Sequence, residues 1–154
     1  MRLDASGKSD EARAALARLR QEAPRGYANL SRFVEAGLTL KKDAKAGVAA
    51  YDALAADASL DPLLRDTAKL RAALARLNLG ETDSARAALD PLATSSPYRS
   101  TAALALASLA IAAKDWPGAS KWLEQVVGDA QAPQADRQTA QGLLGLVASQ
   151  SPKP

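Results

Sequence analysis

Four times along this chain a small residue is followed four positions later by a large apolar one, and three positions after that by another. The sets are Ala12/Leu16/Leu19, Gly47/Tyr51/Leu54, Ala85/Leu89/Leu92 and Ala119/Leu123/Val126. Steps of four and three keep three side chains on one face of an α-helix, so each set reads as a buried helical stripe and not as part of a strand. The small residues stand 35, 38 and 34 positions apart, a period that belongs to helix-turn-helix solenoids, where each unit covers its stripe with its neighbour. The expected fold is all-α, a right-handed helix-turn-helix solenoid of about eight antiparallel helices. Such a chain reads as a scaffold that binds something and not as a catalyst.

Duplication is clearest in Gly7-Lys-Ser-Asp-Glu-Ala-Arg-Ala-Ala-Leu16 and Gly80-Glu-Thr-Asp-Ser-Ala-Arg-Ala-Ala-Leu89, which agree at seven of ten positions across 73 residues. In each copy the glycine can end one helix in a left-handed conformation, and Asp10 or Asp83 can cap the next. Lys42-Asp43 and Lys114-Asp115 hold the corresponding turns of the other units without the glycine, and Pro117 suits a first helical turn.

From these turns the second-position helices fall at about 9 to 22, 44 to 57, 83 to 94 and 116 to 128. First-position helices fall at about 26 to 41, 62 to 79 and 98 to 113, with a last one at about 134 to 149. Breakers at Pro24-Arg-Gly26, Asp57 to Pro62, Ser95-Ser-Pro97 and Gly128 to Pro133 agree with those limits. The expected organisation is one repeat domain over 9–149 between short tails, 1–8 and 150–154. The stripe at Ala12, Leu16 and Leu19 belongs to a second-position helix with no partner upstream, which raises the expectation that the chain is a piece of a longer polypeptide. The last helix, polar at Gln134, Asp136, Arg137, Gln138 and Gln141, reads as a terminal cap.

Composition narrows the function further. Alanine fills 37 of 154 positions and aromatics only 4%, so the helices are expected to pack closely through small side chains. The net charge is +3 and is spread over both halves, which leaves no nucleic-acid or membrane-binding footprint. Cysteine and histidine are absent, which removes disulfides, thiolate chemistry and His-based triads and disfavours zinc. The longest apolar stretch, Ala102 to Ala113, is too short for a membrane helix, which needs about 20 residues, and reads as a buried core helix.

Several local patterns mimic sites. Ser6-Gly-Lys-Ser9 resembles the end of a phosphate-binding loop, but Arg2 stands where the first glycine is required. Asp57-x-Ser59-x-Asp61 mimics the start of a calcium loop, yet Pro62 replaces the turn glycine and Ala68 the bidentate glutamate, so a turn between helices is expected. Trp116 and Trp122 are read as core packing, and no Ser-x-x-Lys occurs. Lys41-Lys42-x-x-Lys45 is the densest basic patch, with a solvated turn as its plain explanation, and Arg13, Arg18 and Arg20 decorate the exposed faces of one helix. No catalytic residue, metal ligand or cofactor is therefore expected.

The small-x-x-x-large element, with Pro97 at the repeat-closing position relative to Ala85, resembles the tetratricopeptide repeat, although the first-helix Trp and the Leu-Gly pair are missing. The phrases Ala23-Pro-Arg-Gly-Tyr27 with Leu30, Ala50-Tyr-Asp-Ala-Leu-Ala55, Leu64-Arg-Asp-Thr-Ala-Lys-Leu70 and Asp129-Ala-Gln-Ala-Pro133 with Arg137 are similar to the tetratricopeptide domain of alphaproteobacterial proteins related to the YfgM-like ancillary subunit of the SecYEG translocon. That resemblance implies a periplasmic domain held at the inner membrane by an N-terminal anchor that this sequence lacks. Its implied partners are proteins or peptides, translocon subunits or chaperones among them. A cytosolic scaffold or a self-associating solenoid is the alternative, and an enzyme or anion-binding domain the remote one. Ligands of such repeats lie along the first-position helices, which puts Asn29, Arg32, Thr67, Leu70, Leu74, Leu77, Asn78, Leu104 and Ile111 near a protein-binding groove. The competing reading makes several of those leucines interhelical core. Arg32 is followed one turn later by Ala36 where a two-carboxylate clamp needs asparagine, so capture of an acidic C-terminal tail by that clamp is not expected.

Overall fold

The computed structural model describes residues 25–150 together with residues 11, 14, 15, 17 and 18. Those residues are all-helical, without strands, and form seven helices: α1 (Arg25–Lys42), α2 (Ala44–Ala56), α3 (Pro62–Asn78), α4 (Thr82–Ser95), α5 (Arg99–Ala112), α6 (Trp116–Gly128) and α7 (Gln134–Gln150). Each lies within two residues of the limits expected from caps and breakers. The eighth expected helix, with Asp10 and the stripe Ala12/Leu16/Leu19, lies outside the described residues except at its few scattered positions. By its contacts the chain divides into two compact units, Met1–Ala75 and Arg76–Pro154.

In the first unit α1 packs on α2 through a link of the single residue Asp43, a connection so short that the two helices must run antiparallel. Asp43 makes this turn possible because its carboxylate accepts the Ala46 backbone N–H at 3.0 Å and satisfies one free donor of α2. Gly47 faces α1, and a Cβ there would collide with the backbone of Leu40. The small position of this repeat is therefore glycine because two helix backbones touch there. Tyr51 and Leu54 follow on the same face and join Ala36, Leu60, Ala68 and Ala72 in one core shared by α1, α2 and α3. The Tyr51 ring lies 6.3 Å from that of Phe33, and its hydroxyl donates to the Phe33 carbonyl at 3.5 Å.

The second unit repeats the scheme with alanine at the small position. Ala85, Leu89 and Leu92 of α4, and Ala119, Leu123 and Val126 of α6, are all buried. α5 lies against α4, α6 and α7 and has the longest set of buried residues, Ser100, Ala102, Ala103, Leu106, Ala107 and Ala110. The apolar stretch that begins at Ala102 thus forms a core helix as far as Ala110, while Ala112 and the C-cap Ala113 are exposed. Alanines make this crowding feasible, since a helix flanked on three sides leaves little room for larger side chains.

Two turns share one geometry. Gly80 adopts φ +76°, and Lys114 takes the same left-handed conformation at φ +57°. In both, the N–H of the following residue reaches back to the last helical turn, Glu81 to the Arg76 carbonyl and Asp115 to that of Ala110, the bond that ends a helix in a left-handed cap. Lys114 accomplishes without glycine what Gly80 does with it. The expected cap at Asp83 is corrected: the N-cap of α4 is Glu81, which makes no side-chain cap bond, and Asp83 lies inside the first turn. There its charge meets the positive end of the helix dipole instead. Asp115 does cap α6, accepting the Gly118 N–H at 3.0 Å, with Pro117 in the first turn.

Candidate functional site

The first unit concentrates its accessible features on α1. Ala36 fixes the buried side of the helix, while Tyr27, Leu30 and Val34 are 59%, 57% and 51% exposed. Their spacing of three and four puts them in one row, and Lys41 continues it seven positions after Val34. One helix therefore presents its core to α2 and a second apolar row to solvent.

Beside that row, α1 and α2 enclose an open cavity of about 270 Å³ lined by Arg32, Glu35, Ala36, Thr39, Ala50, Ala53 and Leu54. Its floor is alanine and leucine, and its size suits one or two side chains and not a drug-sized ligand. Arg32 stands at its edge, where its guanidinium Nη2 meets Asp57 Oδ2 at 2.6 Å. Asp57 also accepts the Ser59 hydroxyl at 2.6 Å and the Ser59 backbone N–H at 2.9 Å. The Ser59 hydroxyl, then Arg32, then the Ser59 N–H hold the Asp57 carboxyl at about 2. The calcium-loop mimic Asp57-x-Ser59-x-Asp61 is accordingly a helix-to-helix turn, its second carboxylate accepting the Leu63 N–H at 2.9 Å.

The second unit contains a counterpart 72 positions on, from 57 to 129. Asp129 accepts Arg99 Nε at 2.6 Å and Nη2 at 2.9 Å, a bidentate pair, and takes the Gln131 N–H at 2.9 Å. The hydrogen bonds from Arg99 and then from Gln131 lower its titration, and the same pairing raises that of Arg99. Arg137 Nη1 donates to the Ala130 carbonyl at 3.2 Å, whereas Nε of Arg65, 72 positions earlier, is buried without a hydrogen-bond partner. Ser100 donates its hydroxyl to Asp136 at 2.7 Å and joins the start of α5 to the start of α7. Both displaced carboxylates are thus pinned to guanidinium groups and pushed away from neutral pH, opposite to what general acid or base work requires. Among the described residues no three acidic side chains gather as a metal would need.

The nine residues expected at a groove are divided between the units. In the first, Arg32 alone among them lines the cavity; Asn29 is half-buried, Thr67 is half-buried with its hydroxyl donating to the Leu63 carbonyl at 2.8 Å, Leu70 is buried and Leu74 half-buried. In the second, Leu77, Leu104 and Ile111 are half-buried and Asn78 is exposed. Leu70 therefore follows the core reading. Trp116 and Trp122 are half-buried, short of the core, and the Lys121 ammonium sits 5.3 Å from the Trp122 ring centre. The exposed row Tyr27, Leu30 and Val34 was missed, although its heptad spacing with Lys41 stands in the sequence. No family model, no curated protein and no solved structure matches the chain.

Proposed function

We propose that this chain is a non-catalytic protein-interaction scaffold of the tetratricopeptide type, with α1 as its partner-facing helix. The observation that carries this reading is the row Tyr27, Leu30 and Val34, more than half exposed on a helix whose other side is fixed by Ala36 in the core and Phe33 packed against it. A monomer gains nothing from leaving three adjacent large apolar side chains in water, and such rows are typical of surfaces that a partner covers. The repeated turns, the small residues at Gly47, Ala85 and Ala119, and the packing of α5 against both α6 and α7 support a solenoid of helical hairpins as the scaffold. The resemblance to translocon-associated repeat domains extends the proposal to the periplasmic face of a bacterial inner membrane, with translocon subunits or chaperones as partners.

The test is site-specific photo-crosslinking in the source cells, with the photoreactive residue in place of Leu30 or Val34, or in place of the exposed Ala49 on α2. The reading expects discrete protein adducts from positions 30 and 34 and few from position 49. Equal, diffuse labelling from all three would overturn it.

A further inference from the structure

The exposed row on α1 has a fixed geometry and a charged end, and together they describe what would cover it. Tyr27, Leu30, Val34 and Lys41 occupy steps of three, four and seven, with Gly37 between the last two. That is a narrow two-turn seam of heptad type, the kind that a single helix covers along its length. An extended strand would match only alternate residues of it.

The far end of the seam is basic. Lys41 and Lys42 close the last turn of α1, Lys45 lies in the first turn of α2, and all three are exposed. Lys41 and Lys42 complement the negative end of the α1 dipole, but Lys45 faces the positive end of α2, where a cation is opposed. Helix stability therefore accounts for two of the lysines and runs against the third. The one carboxylate among them, Asp43, is engaged as the α2 cap through the Ala46 N–H. At 1.5 Å per residue Lys41 lies about 10 Å beyond Val34, within the length of one bound helix.

We infer that the Tyr27/Leu30/Val34 seam docks an amphipathic helix of a protein partner, whose apolar a/d row covers the seam and whose acidic end meets Lys41, Lys42 and Lys45. The inference rests on α1 being the interaction surface and adds the partner's chemistry. Charge complementarity picks out the acidic helix. On a lipid surface only the three seam side chains would be buried, and binding there scales with the apolar area buried, whereas a helix adds its own apolar row to the contact.

The experiment selects a displayed library of helical peptides of about 16 residues, four turns, on the full chain. The expected winners carry apolar residues at heptad spacing and Asp or Glu clustered at one end. Their affinity should fall at least tenfold with Leu30→Asp and severalfold with the double change Lys41→Glu and Lys42→Glu, which should in turn favour peptides with Lys at the same end. Circular dichroism of each variant, matched to wild type, excludes unfolding as the cause. Winners that are basic, or indifferent to both changes, overturn the inference. So does recruitment to mixed phosphatidylcholine and phosphatidylglycerol vesicles that is lost with the same lysine changes, or self-association through Leu30 seen by sedimentation. Photo-crosslinks from positions 30 and 34 to a partner with no acidic helix would sink the inference alone, whereas absence of position-specific crosslinks sinks the reading beneath it.

Discussion

Arg99 holds Asp129 through two hydrogen bonds, 2.6 and 2.9 Å long, across 30 residues of chain. The pair ties the first residue of α5 to the C-cap of α6 and so fixes where the hairpin closes. Arg32 and Asp57 perform the same task for α1 and α2 with a single 2.6 Å contact.

Both carboxylates titrate below their unfolded value, so each stabilises the fold above the ordinary carboxylate range and loses that contribution as pH falls through its folded value. For Asp57 the window runs from an unfolded value of about 3.9 down to about 2. Urea midpoints of wild type and Asp57→Asn should differ by a constant amount at neutral pH and converge below that window. Asp129→Asn should behave likewise, since that carboxylate also holds three hydrogen bonds, from Arg99 Nε, Arg99 Nη2 and the Gln131 N–H.

Gly47→Ala should destabilise the first unit severely, by about 2–4 kcal/mol, since the new methyl meets the Leu40 backbone and can be relieved only by separating α1 from α2. The same reasoning ranks Ala119→Gly as much milder, about 1 kcal/mol. Chemical denaturation of the two variants checks the order.

Leu89→Ala and Leu123→Ala remove fully buried side chains at matching places in α4 and α6. Each should cost about 2–5 kcal/mol. Amide exchange should show the loss in residues 76–150, with protection of α1 and α2 less affected, because the chain forms two compact units.

Pro91 lies inside α4 on its exposed side. Lacking an N–H, it leaves the Ala87 carbonyl without its helical donor. Pro91→Ala should raise the thermal midpoint, through a gain of roughly 1–3 kcal/mol.

Much of the fold was legible because its punctuation is local. Asp43, Gly80, Asp115-x-Pro117 and the Asp57 and Asp129 turns act within a few residues of themselves, and they set helix ends to within two positions. The choice of Asp83 over Glu81 as a cap failed because the left-handed turn at Gly80 brings the chain into α4 two residues earlier than the aspartate. The surface was harder to read. Aligning the repeats on second-position stripes fixes those helices in rotation but leaves the first-position helices free to turn, and alanine on every face blurs their hydrophobic pattern. Arg32 was found at the cavity edge, Leu70 went to the core, and the row Tyr27, Leu30 and Val34 passed unnoticed. The Arg99 and Asp129 pairing is non-local and has no sequence signature of its own.

The most direct test of α1 as the partner surface is amide chemical-shift mapping of the isotope-labelled chain during titration with a peptide selected on it. The account expects the largest shifts between residues 27 and 45, on the seam and its lysines, with Leu30→Asp abolishing them. Shifts confined to α5, α6 and α7, with α1 silent, would contradict it.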